Sequence, residues 1–94
     1  MITEASLNSV PGISAMYRFQ WEQAQNCYVL LYPEGMIKLN GPAGEILALI
    51  DGDRSIIEIV ALLKEKFDGA EGIEGDVIEF MQDAENQNWI SLQA

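Results

Sequence analysis

The fold turns on the stretch Cys27-Tyr28-Val29-Leu30-Leu31-Tyr32-Pro33-Glu34-Gly35-Met36-Ile37-Lys38-Leu39-Asn40. Cys27 to Tyr32 is an unbroken apolar run rich in β-formers, and its lack of alternation predicts a strand covered on both faces. Pro33-Glu34-Gly35 is the sharpest turn signal in the chain, because proline presets φ and glycine closes the turn without steric cost. Met36 to Leu39 follows as a short third strand with Ile37 and Leu39 on one face. At Asn40 the apolar period changes from 2 to 3.6, and Asn40 or Gly41 becomes a helix N-cap with Pro42 in the first turn.

Working back towards the N-terminus, Tyr17-Arg18-Phe19-Gln20-Trp21-Glu22 alternates aromatic and polar residues strictly, as a half-buried strand does. Gln23 to Asn26 is a polar turn between it and the central run. Residues 1–15 show no sustained period and read as a flexible N-terminal arm, docked at most at its C-terminal end. Working forward, Ala43, Ile46, Leu47 and Ile50 form one helical stripe that stops at Gly52. Ser55-Ile56-Ile57-Glu58 is a capping box opening a second helix, with Ile56, Ile59, Val60, Leu63 and Phe67 inward. After a loop over Asp68–Gly72, a third helix runs from about Ile73 to Asn86, with Ile73, Val77, Phe80, Met81 and Ala84 inward. Trp89 and Ile90 then pack a short tail onto the domain.

The order β-β-β-α-α-α predicts an α+β fold over residues 16–94: a three-stranded antiparallel meander followed by three helices, like a small winged helix-turn-helix domain. Ninety-four residues leave room for one core only. Apolar residues make up 49% of the chain and charged residues 21%, which argues against disorder.

Charge narrows the function. The net charge is −10, and from Asp68 onwards there are seven acids and no Lys or Arg. Nucleic-acid affinity rests on basic side chains that displace counterions, so a DNA reading of the helix-turn-helix shape is chemically contradicted, and an anionic membrane surface is equally unsuited. With no His and Cys27 as the lone cysteine, in an apolar strand, nucleophile–base pairs and internal disulfides are missing. Asp51-Gly52-Asp53 begins like a calcium loop, but Ile56 and Leu62 stand where Gly and Glu are needed. Gly41 and Gly44 lack P-loop spacing and its lysine. The chain thus reads as no enzyme and as needing no cofactor. It shows no signal peptide and no apolar run near the roughly 20 residues of a membrane helix, so a cytoplasmic location is the expectation.

What remains is binding. A small meander has unpaired edges, and a groove between an edge strand and a helix holds an extended peptide by strand addition. Of Met36 and Lys38, one is expected to turn its amide to the free edge and the other into the ladder. On the third helix Asp76, Glu79 and Asp83 fall within a stripe of about 60° beside Phe80. Those acids form either a solvated face or one wall of a binding groove. The free edge permits a weak homodimer, whereas the charge favours a monomer.

The segments Tyr17–Glu22, Val29–Gly35 and Lys38–Asn40 resemble the PqqD family of pyrroloquinoline quinone (PQQ) biosynthesis. Glu45-Ile46-Leu47, Asp51-Gly52-Asp53-Arg54 and Asp76-Val77 with Trp89 fit it too, whereas Ala84 and Asn88 depart from its pattern. The resemblance covers about Val10 to Leu92. It implies a non-enzymatic peptide chaperone that binds the precursor peptide PqqA and presents it to the radical SAM enzyme PqqE. It also implies the winged-helix peptide-recognition fold, with the peptide added along the third strand and against the third helix. Carried onto this chain, the peptide site is Met36, Ile37, Lys38, Leu39, Asp76, Glu79, Phe80 and Asp83. The alternatives are a recognition domain for a different modified peptide, a winged-helix DNA regulator despite the acidic charge, and a quinone ring stacked on Tyr and Trp.

Overall fold

The structure, a computed structural model, describes residues 7–68 and 71–93. Eight elements follow in order: strands β1 (Val10–Ile13), β2 (Arg18–Glu22), β3 (Cys27–Tyr32) and β4 (Gly35–Lys38), helices α1 (Gly41–Ala48), α2 (Ile56–Lys66) and α3 (Ile73–Asn86), and strand β5 (Ile90–Gln93). The α+β class and the meander before three helices are as the sequence indicates.

Strands β2-β3-β4 form an antiparallel sheet in that order. Leu30 pairs with Phe19 on one side and Ile37 on the other. Asn26 turns the chain between β2 and β3 with a φ of 54°. The two residues Pro33 and Glu34 turn it between β3 and β4, where Tyr32 faces Gly35. One face of the sheet carries Phe19, Tyr28, Leu30 and Ile37 into the core against the helices. Its aromatic side chains interlock: Phe19 stacks on Tyr28 at 4.7 Å and Trp21 meets Tyr28 edge-on at 5.1 Å. Val29 is also buried, on the opposite face, so β3 is covered on both sides.

Helix α1 begins where the Asn40 side chain accepts the Ala43 amide at 2.8 Å. It lies so close to β3 that a Cβ at Gly44 would stand 2.8 Å from Tyr28 Cδ2, which requires glycine there. The capping box of α2 is complete, with Ser55 Oγ accepting the Glu58 amide and Glu58 Oε1 accepting the Ser55 amide at 2.9 Å. Val77, Met81 and Ala84 of α3 are buried with Ile56, Ile59, Val60 and Leu63 of α2.

Three expectations change. The arm read over residues 1–15 contains β1, which pairs antiparallel with β5 from Val10–Gln93 to Ile13–Ile90. Residues 1–6 lie outside the described residues, but Leu7 packs on the core and the Ser9 carbonyl accepts the Ile56 amide at 3.0 Å. The tail is therefore a strand, held by a partner some eighty positions away. Phe67, expected inward on α2, is 47% exposed. It is the C-cap of the helix, where the backbone leaves helical geometry and the inward stripe no longer governs direction. Ile50 lies beyond the end of α1, whose C-cap is Leu49 rather than a residue near Gly52, yet it still packs against the core. Among the described residues, no helix is long and apolar enough to cross a membrane.

Candidate functional site

Strand β4 ends the sheet, and hydrogen-bond alternation shows what it offers. The Leu39 amide donates to the Tyr28 carbonyl at 3.0 Å. Antiparallel ladders alternate bonded and non-bonded pairs, so Leu30–Ile37 and Tyr32–Gly35 are the next bonded pairs. The N–H and C=O groups of Met36 and Lys38 therefore point away from β3, to the side where no strand pairs among the described residues. Residues two apart in a strand share an edge, so both Met36 and Lys38 face outwards, and neither serves the internal ladder. Their side chains stand on the sheet face away from the helices, where Met36 is 40% exposed. Ile37 is half-buried on the core face. Leu39 is 6% exposed and its donor is already used, so it belongs to the core rather than to the open edge.

Beyond the end of β4 the surface opens into a groove of about 540 Å³ between the start of α1, the end of α2 and the start of α3. Its apolar lining comes from Pro42, Ile46, Leu63, Phe67, Ile73 and Val77. Glu45, Glu71 and Asp76 supply its carboxylates. Lys66 is bonded to Glu45 and its Nζ lies 5.8 Å from the centre of the Phe67 ring. Among the described residues, Glu71 and Asp76 have no basic side chain in salt-bridge range.

Of the four α3 positions taken from sequence, Asp76 lines this groove. Glu79 and Asp83 are exposed, and Phe80 is half-buried against the core; none of the three lines the groove. They continue along the flank that Asp76 begins. Sequence reasoning missed Pro42, Ile46, Leu63, Phe67, Ile73 and Val77 as lining residues. Only Phe67 carried a local signal, a large apolar residue at the point where α2 ends.

Two carboxyl groups lie below the ordinary carboxylate range, and both serve the loop between α1 and α2. Asp51 accepts the Arg54 amide at 2.8 Å and the Asp53 amide at 2.9 Å, which stabilises its charged form. Glu58 is lowered by the Ser55 amide and hydroxyl that it accepts. These groups are occupied with capping and a turn, and they stand apart from the groove. Among the described residues no cluster of His, Cys, Asp or Glu is placed to hold a metal ion.

An edge with paired outward donors and acceptors, continued by an apolar groove, suits an extended chain. Comparison with known proteins places the whole chain among relatives. The family model of coenzyme PQQ synthesis protein D (PqqD) matches residues 27–90. The chain is 55% identical over 91 residues to the PqqA binding protein of Azotobacter vinelandii, covering 97% of this chain and 99% of that one. It is 55% identical over 85 residues to the PqqA binding protein of Klebsiella pneumoniae, covering 90% and 92%. Among solved structures, it is similar to the solution NMR structure of the PqqD truncation of Methylobacterium extorquens PqqCD, described as a functional, stand-alone recognition element for ribosomally synthesised and modified peptides. That likeness has a TM-score of 0.71 at 25% identity and covers 87% of this chain and 88% of the other.

Proposed function

Because the chain belongs to the PqqD family of coenzyme PQQ synthesis, we propose that it binds the precursor peptide PqqA as an added strand along β4 and presents it to the radical SAM enzyme PqqE. The observation that carries this reading is the outward pair Met36 and Lys38, which offers a bound strand two donors and two acceptors in register. Main-chain pairing supplies affinity that depends little on sequence, and side-chain contacts at Phe80 and the groove add selectivity. The protein acts by binding and holding its peptide. Its part in the chemistry is to raise the concentration of the peptide near the enzyme.

Titration of isotopically labelled protein with synthetic PqqA tests the binding. Amide resonances of Gly35–Leu39 and of α3 shift if the peptide adds at β4. Shifts confined to β2, or none up to millimolar peptide, overturn the reading. Presentation is tested separately, by following peptide modification by PqqE as this protein is added. A rate independent of its concentration removes the presentation step and leaves the binding step intact.

A further inference from the structure

The groove beyond β4 has a chemistry of its own. Its walls are apolar, its volume of about 540 Å³ falls in the range of roughly 300–1,000 Å³ typical of ligand sites, and its free charges are negative. Lys66 is engaged with Glu45, so Glu71 and Asp76 set the local potential. A site of this kind rejects an acidic segment and favours an apolar side chain followed or preceded by a cation. It also lies close to the end of the edge strand along the chain. Gly41 and Pro42, which line it, come three and four residues after Lys38. Three residues reach at most about 10 Å at about 3.3 Å each, so a peptide leaving the β4 edge covers the distance to Gly41 with about three residues or fewer.

Resting on the strand-addition reading above, we propose that this groove is a second anchor for the same peptide. It takes a large apolar side chain, with a Lys or Arg of the peptide within reach of Glu71 and Asp76, about three residues beyond the segment paired to β4. Phe67 is then exposed because it forms the groove wall that closes on the peptide side chain. Main-chain pairing at β4 holds the peptide, and the groove fixes its register, because sliding by one residue turns the anchor to the wrong face.

The test uses the full chain and synthetic PqqA, with two variants at exposed positions: Phe67→Ser, and the pair Glu71→Gln with Asp76→Asn. Calorimetric affinity is measured at low and high salt, and amide shifts are followed at Met36 and Lys38 separately from Ile73, Asp76 and Val77. Expected is a loss of about five- to tenfold for Phe67→Ser at either salt. The neutralised pair loses about three- to tenfold at low salt, and less at high salt. A PqqA variant with its basic residues changed to Gln binds the parent more weakly and the neutralised pair no worse than PqqA does. Shifts at β4 with still groove resonances and unchanged affinities overturn the anchor while strand addition stands. Shifts in the groove with still β4 resonances overturn strand addition instead. Binding of the basic-to-Gln peptide at parental affinity removes the cation from the proposal.

Discussion

Strands β2 and β4 flank the same central strand, and among the described residues each leaves one row of main-chain groups without a strand partner. On β4 the row belongs to Met36 and Lys38. On β2 it belongs to Phe19 and Trp21, since Val29 and Leu31 turn their bonding groups to Gln20 and Arg18. The two edges offer the same backbone chemistry. They differ in what lies around them. The chain leaving β4 reaches the apolar groove at Gly41 and Pro42, and the groove's lining draws on all three helices and on no residue of β2. Trp21, 49% exposed, is engaged edge-on with Tyr28 in the sheet's own aromatic cluster. An unpaired edge therefore makes strand addition possible on both sides, and in the proposed function the side-chain surface beyond it selects one.

The largest effect breaks both edges together. Leu30 is fully buried at the centre of the sheet, between Phe19 and Ile37. Leu30→Ala leaves a cavity and costs about 2–5 kcal/mol of stability, to be measured by urea unfolding. Peptide binding is then lost only in proportion to the unfolded fraction.

The next effect separates the edges. Proline at Met36 or at Lys38 removes an outward donor without touching the internal ladder, so each variant folds and each loses about 1 kcal/mol or more of peptide affinity. Trp21→Pro removes an outward donor of β2 and leaves peptide affinity at the parental value. Calorimetry on the three variants decides it; a loss confined to Trp21→Pro exchanges the roles of the two edges.

A smaller effect sharpens where the β4 site stops. Glu79 and Asp83 are exposed on the flank that begins at Asp76. If that flank orients a basic residue of the peptide, each contact is worth about 0.2–1 kcal/mol and is screened by salt. Reversing both to Lys lowers affinity several-fold at low ionic strength and little at high. Equal affinity at low salt leaves these two acids with solubility alone and ends the site at Asp76.

The smallest effect marks acids that belong to the fold rather than to a partner. Glu58 has its folded-state pKa lowered, chiefly by the Ser55 amide. A lowered carboxyl pKa contributes stability above the unfolded-state value that disappears as pH falls through the folded one. Unfolding midpoints should thus decline on acidification below about pH 4.5. Glu58→Gln should show a shallower decline there, with peptide affinity at neutral pH unchanged.

Much of this molecule is local, and what is local was legible. The Asn40 cap, the Ser55–Glu58 box, the Pro33-Glu34 turn and the strict alternation of Tyr17–Glu22 each involve residues within a few positions of one another. The outward direction of Met36 and Lys38 was within reach as well, because a two-residue turn makes Tyr32–Gly35 a bonded pair and fixes parity along the strand. The candidate site was only half legible. Strand β4 could be read, but Leu39 was counted with the edge although its amide closes the ladder to Tyr28.

The sequence by itself determined where β2, β3, β4 and the three helices lie, the acidity of the C-terminal half and the absence of histidine chemistry, since composition and short-range hydrogen bonding suffice for these. Tertiary structure alone decided the pairing of Val10–Ile13 with Ile90–Gln93 and the groove shared by Pro42, Leu63, Phe67 and Val77. Four residues reading Val-Pro-Gly-Ile have no alternation strong enough to announce a strand. They become one because Pro11 is buried and the segment lies alongside Ile90–Gln93. The groove exists because three helices pack at their ends without filling the space between them, a property of their mutual placement that no single helix pattern contains.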